Sequence, residues 1–236
     1  MLARLDVGPA CGDFPSVRFG PDFSERHVLL DGTVVTLRPM QPSDRDETQR
    51  QFRRMSPDSR YRRFFRGISE LSPEMLDYLT VVDGTDHFAL VALLPSLDLK
   101  EEVGAGVARF VRLRDEPHVA EAAVTVVDDF QGRGLGRLLL TTLALAAKER
   151  GVSCFRGEVL ASNEPMRKLL AECGAQGRDG GYGTVVFDVP IDAAHEGSPL
   201  RKVLREVAAS MVVWLSRLYA GRDDRAVGSL DPARRS

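Results

Sequence analysis

Gln131-Gly132-Arg133-Gly134-Leu135-Gly136 is the segment of this chain whose residue types and spacing are best suited to chemistry. Glycine lets a backbone approach a ligand closely and adopt left-handed conformations that other residues avoid. Successive amides opening a helix form a nest for phosphate, strengthened by the positive end of the helix dipole. Arg133 and Arg137 bring mobile positive charge to the same place. The segment reads as a pyrophosphate cradle; a glycine-rich turn that only closes a strand–helix unit is the plainer alternative. Two common phosphate loops do not fit. A Rossmann site needs G-x-G-x-x-G and an acid about 20 residues on, at the end of the next strand. Here the glycines are 132, 134 and 136, and that strand ends in Leu160-Ala161-Ser162. A P-loop needs Gly-Lys-Ser/Thr, which is absent.

The cradle needs a strand before it and a helix after it. VAEAAVTVV (119–127) has the first character, and Leu135, Leu138, Leu139, Thr142, Leu143 and Ala146 recur at helical spacing up to Gly151. Upstream, Asp31-Gly32 between apolar runs predicts a hairpin over 27–38. Ser43 with Glu47 opens a helix to about 55, and Ser72-Pro73-Glu74 caps another to about 79. HFALVALL (87–94) and VGAGVARFVRL (103–113) read as strands, as do 152–160 and TVVFDV (184–189), with a helix over 163–172. The order β-α-α-β-β-β-α-β-α-β predicts an α/β fold around a mixed sheet, partly antiparallel and partly parallel, flanked by helices.

VAEAAVTVV, QGRGLG, LLLTTLALAAKER, VSCFRGEVL, ASN and EPMRKLLAECGA follow one another as strand, loop, helix, strand, strand end and short helix. This arrangement resembles the GNAT superfamily of N-acetyltransferases, over 34–189 and most specifically over 120–174. The resemblance implies acetyl-CoA as cosubstrate. It implies that the backbone of Val124 and Val126 pairs with the pantetheine arm. Gln131, Gly132, Arg133, Gly134, Leu135 and Gly136 would hold the pyrophosphate, and Asn163 would bond the CoA chain. Asn163 also suits an N-cap of the helix after it, and the two roles are compatible. A narrower likeness is to bacterial protein-lysine acetyltransferases of the Pat type. It rests on Arg54-Met55-Ser56-Pro57-Asp58-Ser59-Arg60-Tyr61, Arg63-Phe64-Phe65, His87-Phe88-Ala89-Leu90-Val91-Ala92 and Gly157-Glu158-Val159-Leu160. Pat proteins fuse this domain to a nucleotide-sensing or acyl-CoA-synthetase-like domain. A chain of 236 residues holds neither, so regulation by such a domain is not carried over.

An alkyl amine such as lysine has a pKa near 10.4, so about one molecule in a thousand is nucleophilic at neutral pH. A carboxylate that takes the amine proton contributes about 10²–10⁴-fold, and a strand amide can receive the developing oxyanion. Glu121, the one acid in its strand, sits among Ala120, Ala122 and Ala123 and matches the catalytic glutamate of the Pat type. A strand-end glutamate in a surface ion pair is its other reading. Glu158 reads as a structural partner for an arginine. Leu170 stands where many GNAT enzymes carry a tyrosine that protonates the departing sulfur, which implies help from water or from no acid. The Arg60–Arg66 cluster reads as a solvated helix face with buried aromatics.

Composition excludes several classes. Hydrophobic residues make up 43% and charged residues 28%, with a net charge of −2, so no global field draws the chain to nucleic acid. Three cysteines at wide spacing form neither a disulfide framework nor a zinc signature; no metal is expected, and reduced thiols point to the cytoplasm. The apolar run 207–215 falls far short of the ~20 residues that span a bilayer. We divide the chain into an irregular extension over 1–27, an acetyltransferase domain over 28–192, and an amphipathic helix with a charged tail over 193–236. The apolar stripe Leu200, Leu204, Val207, Met211, Trp214 and Leu218 marks that helix. It predicts packing onto its own domain or a homodimer contact through 199–220; adsorption to an anionic membrane is the further reading. The function expected is acetyl transfer from acetyl-CoA to a protein lysine. A small amine as acceptor and a silent acetyl-CoA-binding module are the alternatives.

Overall fold

The structure, a computed structural model, describes residues 18–64, 68–95, 102–162, 164, 167, 175–181 and 183–191. Its architecture follows from which strands carry apolar residues on one face and which on both. β3 (His87–Leu94) and β4 (Val103–Arg112) are buried over nearly their whole length and lie mid-sheet. β1 (Glu25–Val28) and β7 (Gln176–Gly181) are short and polar and form the edges. With β2 (Val34–Pro39), β5 (Val119–Val126), β6 (Cys154–Leu160) and β8 (Thr184–Pro190), they make an eight-stranded sheet in the order β1-β2-β3-β4-β5-β6-β8-β7. Every neighbouring pair is antiparallel except β5 and β6, which are parallel. The mixed sheet predicted from the sequence is therefore the fold observed.

Helices cover both faces. α4 (Leu135–Glu149) lays Leu135, Leu139 and Leu143, all at most 1% exposed, on one face against Phe88, Phe110 and Phe155. Phe19 and Phe23, from the stretch ahead of β1, are buried in that same cluster. α1 (Arg45–Arg54) and α3 (Pro73–Thr80) pack together, α1 also lies against β4, and Phe52, Met55, Leu71, Met75 and Leu79 form a second cluster. The Ser72 hydroxyl accepts from the Met75 N–H at 3.2 Å, with Pro73 in the first turn, as its sequence predicts for a helix start.

One element carries no clear signal in the sequence. β7 is spelled QGRDGG, with no apolar alternation to mark it. Its Gly177 is packed so that an added Cβ would lie 2.7 Å from the Phe187 ring, so the residue that hides the strand is also the one that lets it pair. α2 (Pro57–Phe64) forms a distinct helix after Ser56 rather than a continuation of α1. The predicted helix over 163–172 and the amphipathic helix over 199–220 lie outside the described residues, apart from Glu164 and Arg167, which are helical.

Candidate active site

β5 and β6 pair only at Val119–Cys154, Ala120–Phe155 and Glu121–Arg156. β5 then runs on to Val126 and β6 to Leu160 with no further pairing between them. The sheet forks there, and Glu121 is the last paired residue of β5. The Leu113 N–H donates to the Val119 carbonyl at 3.0 Å and the Val127 N–H to the Ala105 carbonyl at 2.9 Å. These bonds fix the alternation of an antiparallel ladder: odd residues of β5 turn their peptide groups toward β4, and even ones toward β6. The peptide groups of Ala122, Val124 and Val126 consequently point into the fork. Their side chains face α4, Val124 and Val126 being buried. The half-buried Glu121 side chain shares the opposite face with Thr125, on the side of α1 and α3.

At the wide end of the fork the chain passes through a 3₁₀ turn (Asp128–Phe130) into the glycine loop. Gly132 and Gly134 have φ of +72° and +88°, the left-handed region that favours glycine, and Gly134 is the N-cap of α4. The first-turn amides of α4 have no acceptor within the helix and open toward this end. The Gln131 side-chain amide donates to the Val126 carbonyl at 3.3 Å, joining loop to fork. Leu135 and Gly136 are buried in the first turn, and Arg137 is exposed with no side-chain partner among the described residues. These features fit a diphosphate on the loop and an extended chain in the fork. Asn163 lies outside the described residues.

Contacts to Asp128 and to Arg133 that sequence reasoning missed hold the loop. Asp128 accepts from the Ser56 N–H at 2.9 Å, the Ser56 hydroxyl at 3.1 Å and the Ser59 hydroxyl at 2.8 Å. Burial alone would raise its pKa, but these donors hold its carboxyl below the usual range. The Ser-Pro-Asp-Ser segment, part of the likeness to the Pat type, thus has a local structural role, docking α2 onto the start of the loop. Asp31, at the tip of the β1–β2 hairpin, pairs with Arg133 at 2.7 Å, and the Leu30 N–H donates to the Arg133 carbonyl at 3.3 Å. The Asp31 carboxyl is held low, first by the Thr33 N–H and hydroxyl and then by Arg133. No local pattern could reveal this pair, since 102 residues separate its members. Asp31 would compete for Arg133 with a diphosphate seated on the loop. Asp31→Asn is therefore expected to tighten coenzyme A binding by calorimetry a few-fold at low salt, with the gain fading as salt rises.

The other charged candidates are structural. Glu158 accepts a hydrogen bond from the Thr184 hydroxyl, so its partner is a threonine rather than the expected arginine. Arg60 bonds the Met55 and Arg53 carbonyls at 3.0 and 3.1 Å and stacks 4.9 Å over the Phe52 ring, tying α2 to α1. His87 is pushed down to about 4, first by burial and then by the adjoining Arg109 guanidinium. The unfolded chain takes that proton at about 6.5. The contribution is therefore complete above about 6.5 and is lost as pH falls toward 4. His87→Gln is expected to flatten the decline of the melting midpoint over that window; an unchanged slope would contradict this role.

A forked mixed sheet with a glycine-rich helix start at its mouth is the build of an acyl-CoA-dependent transferase. The sequence profile of the Acetyltransferase (GNAT) family matches residues 47–175, and the chain belongs to this family. Among curated proteins it is similar to Acetyltransferase Pat of Mycolicibacterium smegmatis, 33% identical over 188 residues, covering 77% of this chain and 54% of that protein. The chain thus spans about half the length of that relative. It is also similar to Acetyltransferase PA5475 of Pseudomonas aeruginosa, 35% identical over 150 residues, covering 64% of this chain and 79% of that one. Among solved structures, the GNAT domain of S. lividans PAT superposes with a TM-score of 0.62 at 28% identity, covering 71% of this chain and 96% of that one. Among the described residues, no helix is long and apolar enough to cross a membrane, and no group of His, Cys, Asp and Glu is placed to hold a metal ion.

Proposed function

We propose that this GNAT acetyltransferase passes the acetyl group of acetyl-CoA directly to the amine of a protein lysine, with Glu121 as general base. The observation that carries the reading is the position of Glu121, the last paired residue where β5 and β6 part. The cosubstrate supplies an activated thioester. The first-turn amides of α4, with Gly132, Gly134 and the Arg133 and Arg137 charges, bind its diphosphate. The peptide groups of Val124 and Val126 hydrogen-bond the pantetheine arm, and an N–H of the same row receives charge developing on the acetyl oxygen. Glu121 takes a proton from the incoming ammonium so that the neutral amine attacks the acetyl carbon; the C–S bond breaks, and coenzyme A leaves as a thiolate that takes its proton from water.

The choice of acceptor rests on the likeness to the Pat type, which includes the Ser56–Ser59 segment bonded to Asp128. A small amine is the second reading. Incubation with radiolabelled acetyl-CoA, against cell extract and a panel of small amines, separates them. Label on protein that survives denaturing electrophoresis is expected. Label confined to the small amines would replace the acceptor, and no label anywhere would leave a binding module.

A further inference from the structure

We propose that the pocket between α1, α3 and the β4–β5 ladder binds a small monovalent anion, a halide or a carboxylate of acetate size, on the Arg109 guanidinium and the Gln51 amide. The pocket lies on the face of the β4–β5 ladder that Glu121 shares, across the sheet from α4, with Arg109 opposite Ala123 in register; anion binding there can be read without acetyl transfer. The pocket is lined by Gln51, Phe52, Met55, Val107, Arg109 and Thr125, among others. Arg109 is 2% exposed and Gln51 6%. The guanidinium donates through Nη2 to the Leu79 carbonyl at 2.9 Å, and its Nη1 lies 3.1 Å from His87 Nε2. Arg109 Nε and Gln51 Nε2 are both buried without an acceptor among the described residues. Buried donors of this kind are costly unless something accepts from them.

Charge decides what that something is. Among the described residues no carboxylate is in ion-pair contact with Arg109; the acid on that face of β5 is Glu121, two residues from Ala123, the register partner of Arg109. Its guanidinium is pushed down to about 10, first by burial, and so stays protonated at neutral pH. Removing the partner of a buried charge is strongly destabilising. Water would satisfy both lone donors and leave the charge. An anion answers both needs.

Size and donor number set the class. The pocket, partly open to solvent, offers about 40 Å³, against roughly 10–15 Å³ for one water-sized sphere, so a halide or a few heavy atoms fit beside the two donors. Two lone donors, Arg109 Nε and Gln51 Nε2, suit one negative charge and fall short of a doubly charged oxyanion. The apolar walls of Phe52, Met55 and Val107 suit a weakly hydrated ion or a methyl group.

Bromide-soaked crystals, measured at the bromine absorption edge, test the site directly. An anomalous peak touching Arg109 Nε and Gln51 Nε2 is expected. In solution, sodium chloride and sodium acetate should each raise the melting midpoint by a few degrees over equimolar sodium gluconate, whose anion is too large to enter. Gln51→Leu, which removes a donor and keeps the charge, should lose most of that difference. A map with only water in the space, or a chloride–gluconate difference unchanged in Gln51→Leu, would overturn the proposal.

Discussion

Replacing Glu121 with Gln is expected to lower kcat/KM for acetyl transfer about 10²–10⁴-fold while leaving the Kd for acetyl-CoA nearly unchanged. Gln keeps the shape and hydrogen-bonding reach of the side chain and loses only the capacity to take a proton. The side chain lies on the face of β5 opposite the row of Val124 and Val126, so its exchange does not touch the backbone groups assigned to the cosubstrate. A signature accompanies the loss. At a pH near the amine's own pKa of about 10.4 half of the acceptor is already neutral and needs no base. The gap between wild type and variant should therefore narrow steadily as pH rises. Equal rates at neutral pH over a panel of acceptors would remove Glu121 from the mechanism. A matching fall in cosubstrate affinity would recast it as a binding or folding residue.

Gly106→Val is expected to destabilise the fold by about 1–3 kcal/mol, the usual cost of overpacking. Gly106 lies on β4 opposite Val126, under α4. A Cβ there would sit 2.9 Å from the Thr125 carbonyl oxygen and 2.8 Å from Leu139 Cδ1. One of the two obstacles is backbone, so the strand or the helix must shift. For a domain of this size each kcal/mol lowers the melting midpoint by roughly 2–4 °C. The shift also tilts the N-terminus of α4 relative to the fork, so coenzyme A affinity should fall along with stability. Gly104 offers the control: an added Cβ meets Glu47 Oε1 at 3.1 Å, the end of a flexible side chain, and Gly104→Ala should cost less on both counts. A valine at 106 that leaves melting and affinity untouched would mean that α4 is not seated as described.

The parts of the site that rest on one local segment were legible in the sequence. The strand, glycine loop and helix over 119–149 are strongly patterned and contiguous, and the structure reproduces them with the left-handed Gly134 as N-cap. Sequence proximity also placed Val124 and Val126 correctly in the strand leading to the loop. Which way their peptide groups point was not legible, because that depends on the register of β4 against β5. The fork was hidden for the same reason: nothing within β5 or β6 says that their pairing stops after three residues. Tertiary contacts account for the remaining differences. Ser56 and Ser59 look like a family signature in sequence and turn out to be ligands of Asp128, 72 and 69 residues away. The buried Arg109 reads as an ordinary strand arginine until α1 and α3 are packed over it.

A crystal structure with acetyl-CoA bound tests the central claim most directly. The diphosphate should sit on the amides of the 132–137 segment, with the pantetheine arm bonded to the peptide groups of Val124 and Val126 and the acetyl group near the Glu121 end of the fork. Acetyl-CoA lodged elsewhere, with the cleft between β5 and β6 filled by protein, would contradict the account.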